Sequence, residues 1–209
     1  RMEGDAGMGR FLDTDYWRAR CAVAGDTLIC ARETVTSPRT LVRIDPAIGH
    51  SGTLFDPNPE TASWRFGKHA RLVWSDRDGV RSYGDLMLPP DHKPGARHPL
   101  IIVQYLSRGF QRGGLGDEYP IQLLAARGYA VLNFHAPQES DEAAAAPDAI
   151  AAQRIKVQDW SGRRRILTAL EAGVDTAIAL GVVDPGRIGI TGLSDGASTV
   201  QFALNNSDR

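Results

Sequence analysis

The spacing of apolar residues changes character along the 209 residues of this chain. From Tyr16 to Phe55 the apolar positions fall in short runs: Arg20 to Ala24, Thr27 to Arg32, Thr40 to Ile44 and Gly52 to Phe55. Gly25-Asp26, Ser37-Pro38 and Ile48-Gly49 separate them, which predicts a meander of four short strands joined by tight turns. Four strands in about 40 residues is the arithmetic of one propeller blade. A single blade cannot bury both faces, so its partners are expected upstream of Arg1. Asp56-Pro57-Asn58-Pro59-Glu60 then reads as a rigid linker.

Beyond the linker the pattern is that of an α/β domain. Ala70 to Ser75 and Val80 to Leu88 predict an antiparallel pair turning at Asp78-Gly79, and Pro89 to Gly95 a surface loop. Leu100-Ile101-Ile102-Val103 and Tyr129 to Phe134 are continuous apolar runs, as expected of parallel strands covered on both faces. A helix from about Glu118 to Arg127, ended by Gly128, lies between them. A second, from about Gly162 to Leu180, places Ile166, Leu167, Leu170, Val174 and Ile178 on one face. Arg163-Arg164-Arg165 reads as its solvated side, and the alanine-rich Glu142 to Gln153 as an exposed loop or short helix. Gly181 and Asp184-Pro185-Gly186 are expected to precede a further strand. Alternating strand and helix gives right-handed crossovers and a mostly parallel sheet flanked by helices. The fold class is α/β, with residues 1–62 as blade and linker and residues 63–209 as the α/β part.

The most informative stretch is RIGITGLSDGASTVQFA, Arg187 to Ala203. An apolar strand with Ile188 and Ile190 enters a helix with Ala197, Val200 and Leu204 through Gly192-Leu193-Ser194-Asp195-Gly196. The two glycines remove the β-carbons that would clash where strand and helix nearly touch. This is the pattern of a nucleophile elbow, which holds a serine hydroxyl on a sharp turn above a sheet. A nucleotide loop starting at Thr191 would need glycine where Ser198 stands. The plainer alternative is that Ser194 only caps the helix.

Composition narrows the partners. At 42% hydrophobic and a formal net charge of -1, the chain has no bias towards nucleic acid or an anionic membrane. No apolar run approaches a membrane span, and the start lacks the apolar core of a signal peptide, so the chain reads as soluble, cytoplasmic or periplasmic. Both ends are expected to be cuts through a longer protein. Cys21 and Cys30 are the only cysteines. With Gly25-Asp26 as a hairpin turn, residues whose numbers sum to 51 face each other, which sets Cys21 opposite Cys30 at a non-hydrogen-bonded pair. Two buried thiols is the plainer reading; a cross-strand disulfide, in an oxidising compartment, is the alternative.

Blade-like segment, linker, antiparallel pair, the strand at Pro99 and the elbow at Ser194 together resemble the prolyl oligopeptidase family, which couples a β-propeller to an α/β-hydrolase domain. Ser37 to Asp45 is similar to that family's final blade, and Val183 to Ile190 to its approach to the nucleophile. Gln104 to Gly114 with Gly116 to Gln122 resembles most the lasso peptide isopeptidases, which hydrolyse the amide closing the macrolactam ring of a threaded peptide. Leu106-Ser107 replaces the broader family's usual Gly-Gly, and Ala197 a second glycine after the elbow.

These residues set expectations for chemistry. Ser194 is the candidate nucleophile and needs a base. The backbone N–H of Asp195 is one oxyanion donor. By resemblance, the Tyr105 phenol is a second donor; a tyrosine packed at a strand end is the alternative. A carboxylate aimed at the oxyanion would oppose the charge forming there, so the Asp195 side chain should point away, as a first-turn carboxylate on the helix dipole or as a contact to a substrate cation. Arg108 and Arg112 could hold a substrate carboxylate or pair with Asp117 or Glu118. The triad order is Ser, then Asp or Glu, then His, yet only Asp195 and Asp208 and no histidine follow Ser194. The remainder of the polypeptide is therefore expected to complete fold and triad. His135 is the one histidine near the expected face. His50, His69, His92 and His98 show no metal spacing, and no cofactor is expected. The implied reaction is hydrolysis of an amide in a peptide, most specifically a lasso peptide's isopeptide bond. An oligopeptidase or dipeptidyl peptidase for linear peptides, an esterase, and a non-catalytic binding relic are the alternatives.

Overall fold

A computed structural model of the chain describes residues 21–105 and 120–209. The chain parts between Phe66 and Gly67 into two units.

The first unit is a four-stranded meander in which β1 (Ala22–Ala24), β2 (Thr27–Thr34), β3 (Ser37–Asp45) and β4 (His50–Phe55) pair in order, each antiparallel to the next. Gly25 takes a φ of 60° in the first turn, a conformation open to glycine at little cost. Every β1–β2 partnership follows the sum of 51, from Ala24 and Thr27 to Ala22 and Ile29. The next pair outward is Cys21 and Cys30, which form a disulfide across a Cα separation of 4.2 Å. Of the two readings the bonded one holds, because a non-hydrogen-bonded pair brings opposing side chains close enough for the sulfurs to meet.

Two boundaries differ from expectation. The second turn is at Val35-Thr36, and Ser37-Pro38 begin β3. Pro38 is accommodated because the β2–β3 register shifts between Arg32 and Thr34, where the ladder does not need its missing N–H. Residues Pro59–Ser63, at the end of the expected linker, form a 3-10 turn. The core is small: Cys30, Val42 and Ile44, backed by Cys21 and Leu28, while Val23, Leu54 and Phe55 are exposed.

The second unit is a five-stranded sheet in the order β5-β6-β8-β7-β9, from β5 (His69–Ser75), β6 (Arg81–Met87), β7 (His98–Tyr105), β8 (Ala130–His135) and β9 (Val183–Gly192). Its helices are α1 (Ile121–Ala126), α2 (Asp141–Ala144), α3 (Ala149–Val157), α4 (Ser161–Ala179) and α5 (Asp195–Asn206). The pairs β8–β7 and β7–β9 are parallel, whereas β5–β6 and β6–β8 are antiparallel. Two ladders are thus parallel and two antiparallel, because the expected hairpin turning at Asp78-Gly79 continues the sheet past β8, with β6 the one strand running against the other four. Asp184-Pro185-Gly186 lie inside β9, taken up by a register shift opposite His98 and Leu100. The alanine-rich stretch forms α2 and α3, capped by the side chains of Ser140 and Asp148.

Periodicity explains the layering. Leu72, Trp74, Leu86, Leu100, Ile102, Leu132 and Phe134 alternate onto one sheet face and meet Leu167, Leu170, Val174 and Ala177 of α4. Trp74 is locked there by its indole N–H, which donates to the Ala169 carbonyl at 2.8 Å. Burial of every residue from Ala130 to Phe134 fits a strand covered on both faces. The carboxyl ends of β8, β7 and β9 fall on one edge, where the register sets Tyr105 beside His135 and Gln104 beside Gly192.

Candidate active site

At that edge β9 ends and α5 begins within two residues. Ser194 has φ 54° and ψ −119°, left-handed backbone that costs a non-glycine residue about 1–3 kcal/mol and persists only where the surroundings enforce it. The enforcing contact is between glycines. A β-carbon on Gly192 would lie 2.4 Å from the carbonyl carbon and oxygen of Gly196 and 2.9 Å from the amide nitrogen of Ala197. The turn is closed by Gly196 N–H donating to the Leu193 carbonyl at 2.8 Å. Ser194 stands at the N-cap position but its side chain makes no capping hydrogen bond, and the residue is exposed. The alternative of a serine used to cap the helix is therefore not what the structure contains.

Two residues outside the motif brace the elbow. Gln104, fully buried at the end of β7, donates its side-chain N–H to the Gly196 carbonyl at 2.6 Å and so ties the parallel sheet to the first turn of α5. Arg163, from the first turn of α4, reaches across to Asp195. One of its terminal nitrogens donates to Asp195 Oδ2 at 3.1 Å, to the Asp195 carbonyl at 3.3 Å and to Thr199 Oγ1 at 3.0 Å; the other donates to Asp195 Oδ1. The expectation that Arg163-Arg164-Arg165 form one solvated face is corrected accordingly. Arg164 is exposed, but Arg163 is half-buried in this clamp and Arg165 donates to the Gln138 carbonyl at 2.9 Å. The Asp195 carboxylate is engaged by a protein cation, and the same guanidinium reaches Thr199, one turn on. As the first residue of α5, Asp195 has an N–H with no intrahelical acceptor.

Tyr105 is the last residue of β7, one position beyond the Gln104–Gly192 partnership, so its backbone adjoins the end of the elbow strand. Arg108 and Arg112 lie outside the described residues. His135 ends β8 with its ring stacked on Tyr83 at 4.4 Å between centroids, and β7 stands between it and the elbow strand. With neighbouring strands about 4.8 Å apart, that is two strand spacings. His92 and His98 meet at the opposite end of β7, with Nδ1 and Nε2 2.8 Å apart. Burial, and then the charges of His98 and Lys68, lower the His92 pKa; this pair is remote from the elbow.

The sequence assigns no bracing role to Gln104 or to Arg163. A lone amide ending an apolar strand was the available sign for the first. The second has no local sign, since its partner is 32 residues away.

No protein-family model matches the chain. It is 46% identical over 189 residues to the lasso peptide isopeptidase AtxE2 of Asticcacaulis excentricus, a match over 90% of this chain and 27% of that protein. The chain thus spans about a quarter of its curated relative's length. The solved structure of that isopeptidase without ligand superposes with a TM-score of 0.85, covering 90% of this chain and 29% of the other. Another structure of it is a serine-to-alanine variant with Astexin3-dC4 bound. An acylaminoacyl peptidase of Pyrococcus horikoshii, 23% identical, superposes with a TM-score of 0.64 over 88% of this chain and 28% of its own, a likeness of fold.

Proposed function

We infer, from the premise that this chain is a relative of a lasso peptide isopeptidase within the prolyl oligopeptidase family, that it carries the nucleophile of a serine hydrolase acting on an amide in a peptide. The observation that bears most weight is Ser194 itself, exposed and left-handed at the carboxyl end of a parallel strand, with its hydroxyl not used as a helix cap. The kinship with AtxE2, and the peptide Astexin3-dC4 bound to that enzyme, favour the isopeptide bond of a lasso peptide as the substrate.

In this reading Ser194 Oγ attacks the amide carbon while a base takes its proton. The C–N bond then breaks, the amine leaves with that proton, and water cleaves the resulting ester to release the acid and regenerate the serine. The Asp195 N–H and the Tyr105 hydroxyl hold the oxyanion. The carboxylate and histidine of the triad come from polypeptide outside these residues, a reading supported by the chain's matching only 27% of AtxE2; Asp195 itself is tied to Arg163. The meander of β1 to β4 serves as the final blade of a propeller, residues 1–62 as blade and linker, and residues 63–209 as the first part of the hydrolase domain. Arg108 and Arg112 follow closely on Tyr105 and would meet a substrate carboxylate.

A fluorophosphonate probe on the full-length protein tests the nucleophile. Labelling is expected on Ser194 and is lost in Ser194→Ala; a label that survives the substitution puts the nucleophile at another residue, and an unlabelled parent supports a binding relic instead. Tyr105→Phe should slow acylation by about 100- to 1000-fold with the unfolding midpoint unchanged.

A further inference from the structure

An aspartate directly after a serine nucleophile is an electrostatic problem, because the N–H that must stabilise an oxyanion belongs to a residue carrying a negative charge of its own. The arrangement at α4 answers it. The Arg163 guanidinium takes both oxygens of the Asp195 carboxylate, and the same group reaches the Asp195 carbonyl and the buried hydroxyl of Thr199. Thr199 in turn donates to the Asp195 carbonyl at 3.3 Å. Arg163 is the more enclosed partner, 21% exposed against 48% for Asp195, so its charge is less screened than that of a surface pair. The planar fork fits this two-oxygen geometry, whereas a lysine would offer a point charge.

We propose that Arg163 is a positioning residue for acyl transfer at Ser194: it cancels the Asp195 carboxylate and fixes the first turn of α5, so that the Asp195 N–H meets the developing oxyanion without an opposing charge. The proposal rests on the reading of Ser194 as nucleophile. Its consequence is a defined coupling between two side chains, neither of which takes part in bond making.

The test is a double-mutant cycle in the full-length protein, following p-nitrophenyl butyrate hydrolysis and the rate of fluorophosphonate labelling. Arg163→Met should lower kcat by about 10- to 100-fold with little change in KM, since what is lost acts on the transition state. Arg163→Lys should fall between the two. In an Asp195→Asn background the same Arg163→Met change should alter kcat by less than about threefold, because no carboxylate remains to be cancelled. An Arg163→Met enzyme as fast as its parent, or one slowed equally in both backgrounds, would overturn the proposal; the second result is that of a purely structural brace. Should Arg163→Met not fold, Arg163→Lys in the two backgrounds reads the same coupling. Ser194→Ala separates the premises: turnover that survives it removes the nucleophile reading, whereas turnover lost in Ser194→Ala but indifferent to Arg163 removes only the clamp.

Discussion

At the scale of single residues, the site depends on the absence of atoms. Gly192 is required because the atoms facing it belong to backbone: Gly196 and Ala197 cannot swing aside as a flexible side chain would. Gly192→Ala should therefore push α5 away from β9, lowering stability by about 1–3 kcal/mol and abolishing fluorophosphonate labelling of the full-length protein. Thermal unfolding and a labelling gel check both halves; a labelled, fully stable variant would show that the elbow tolerates a β-carbon. This constraint is also why the elbow was legible in sequence. Glycine two places either side of a serine, between a strand pattern and a helix pattern, has few other physical uses. The Arg163–Asp195 clamp was not legible, because it depends on how two helices cross, and a run of three arginines at a helix start is ordinarily a solvated face.

Among elements, the docking of α4 on the sheet shows where periodicity suffices and where it stops. The apolar stripe through Leu167, Leu170 and Val174 identified the buried face, and the structure buries it against Leu72, Trp74 and Phe134. Gly173 breaks the rule that helix interiors avoid glycine, and Trp74 is the reason. A β-carbon at Gly173 would lie 2.5 Å from Trp74 Cζ2, and the ring cannot shift without loosening its hydrogen bond to Ala169. Two effects oppose each other in Gly173→Ala: helix propensity favours alanine by about 1 kcal/mol, while overpacking a closed core costs about 1–3 kcal/mol. The second should win, giving a lower urea midpoint with an unchanged slope; a stabilised variant would mean that the ring has room to move. The β1–β2 hairpin was more legible. A single turn assignment fixed the register, and the register fixed which cysteines face each other. The β3 boundary was missed because a serine and a proline read as turn residues when the sequence is blind to a shifted ladder.

For the whole molecule, the decisive fact is where complementary groups are lacking among the described residues. Strand β9 pairs with β7 on one side, and no described strand pairs with its other edge. Alongside lies a cavity of about 300 Å³ lined largely by apolar residues, including Ile102, Leu170, Ile190, Val200 and Leu204. An unpaired strand edge beside exposed apolar surface is prone to association with other chains. The chemistry has the same gap, for all five histidines precede Ser194 and the one at the carboxyl edge, His135, is stacked on Tyr83 a strand away. A serine without a base is almost wholly protonated at neutral pH, so elbow geometry by itself gives little rate. The 209-residue chain should consequently hydrolyse p-nitrophenyl butyrate no faster than its own Ser194→Ala variant and should aggregate on concentration, whereas the full-length protein should be monodisperse and should lose turnover on the same substitution. Serine-dependent turnover by the 209 residues alone would mean that a base is already present among them, and would turn attention to His135.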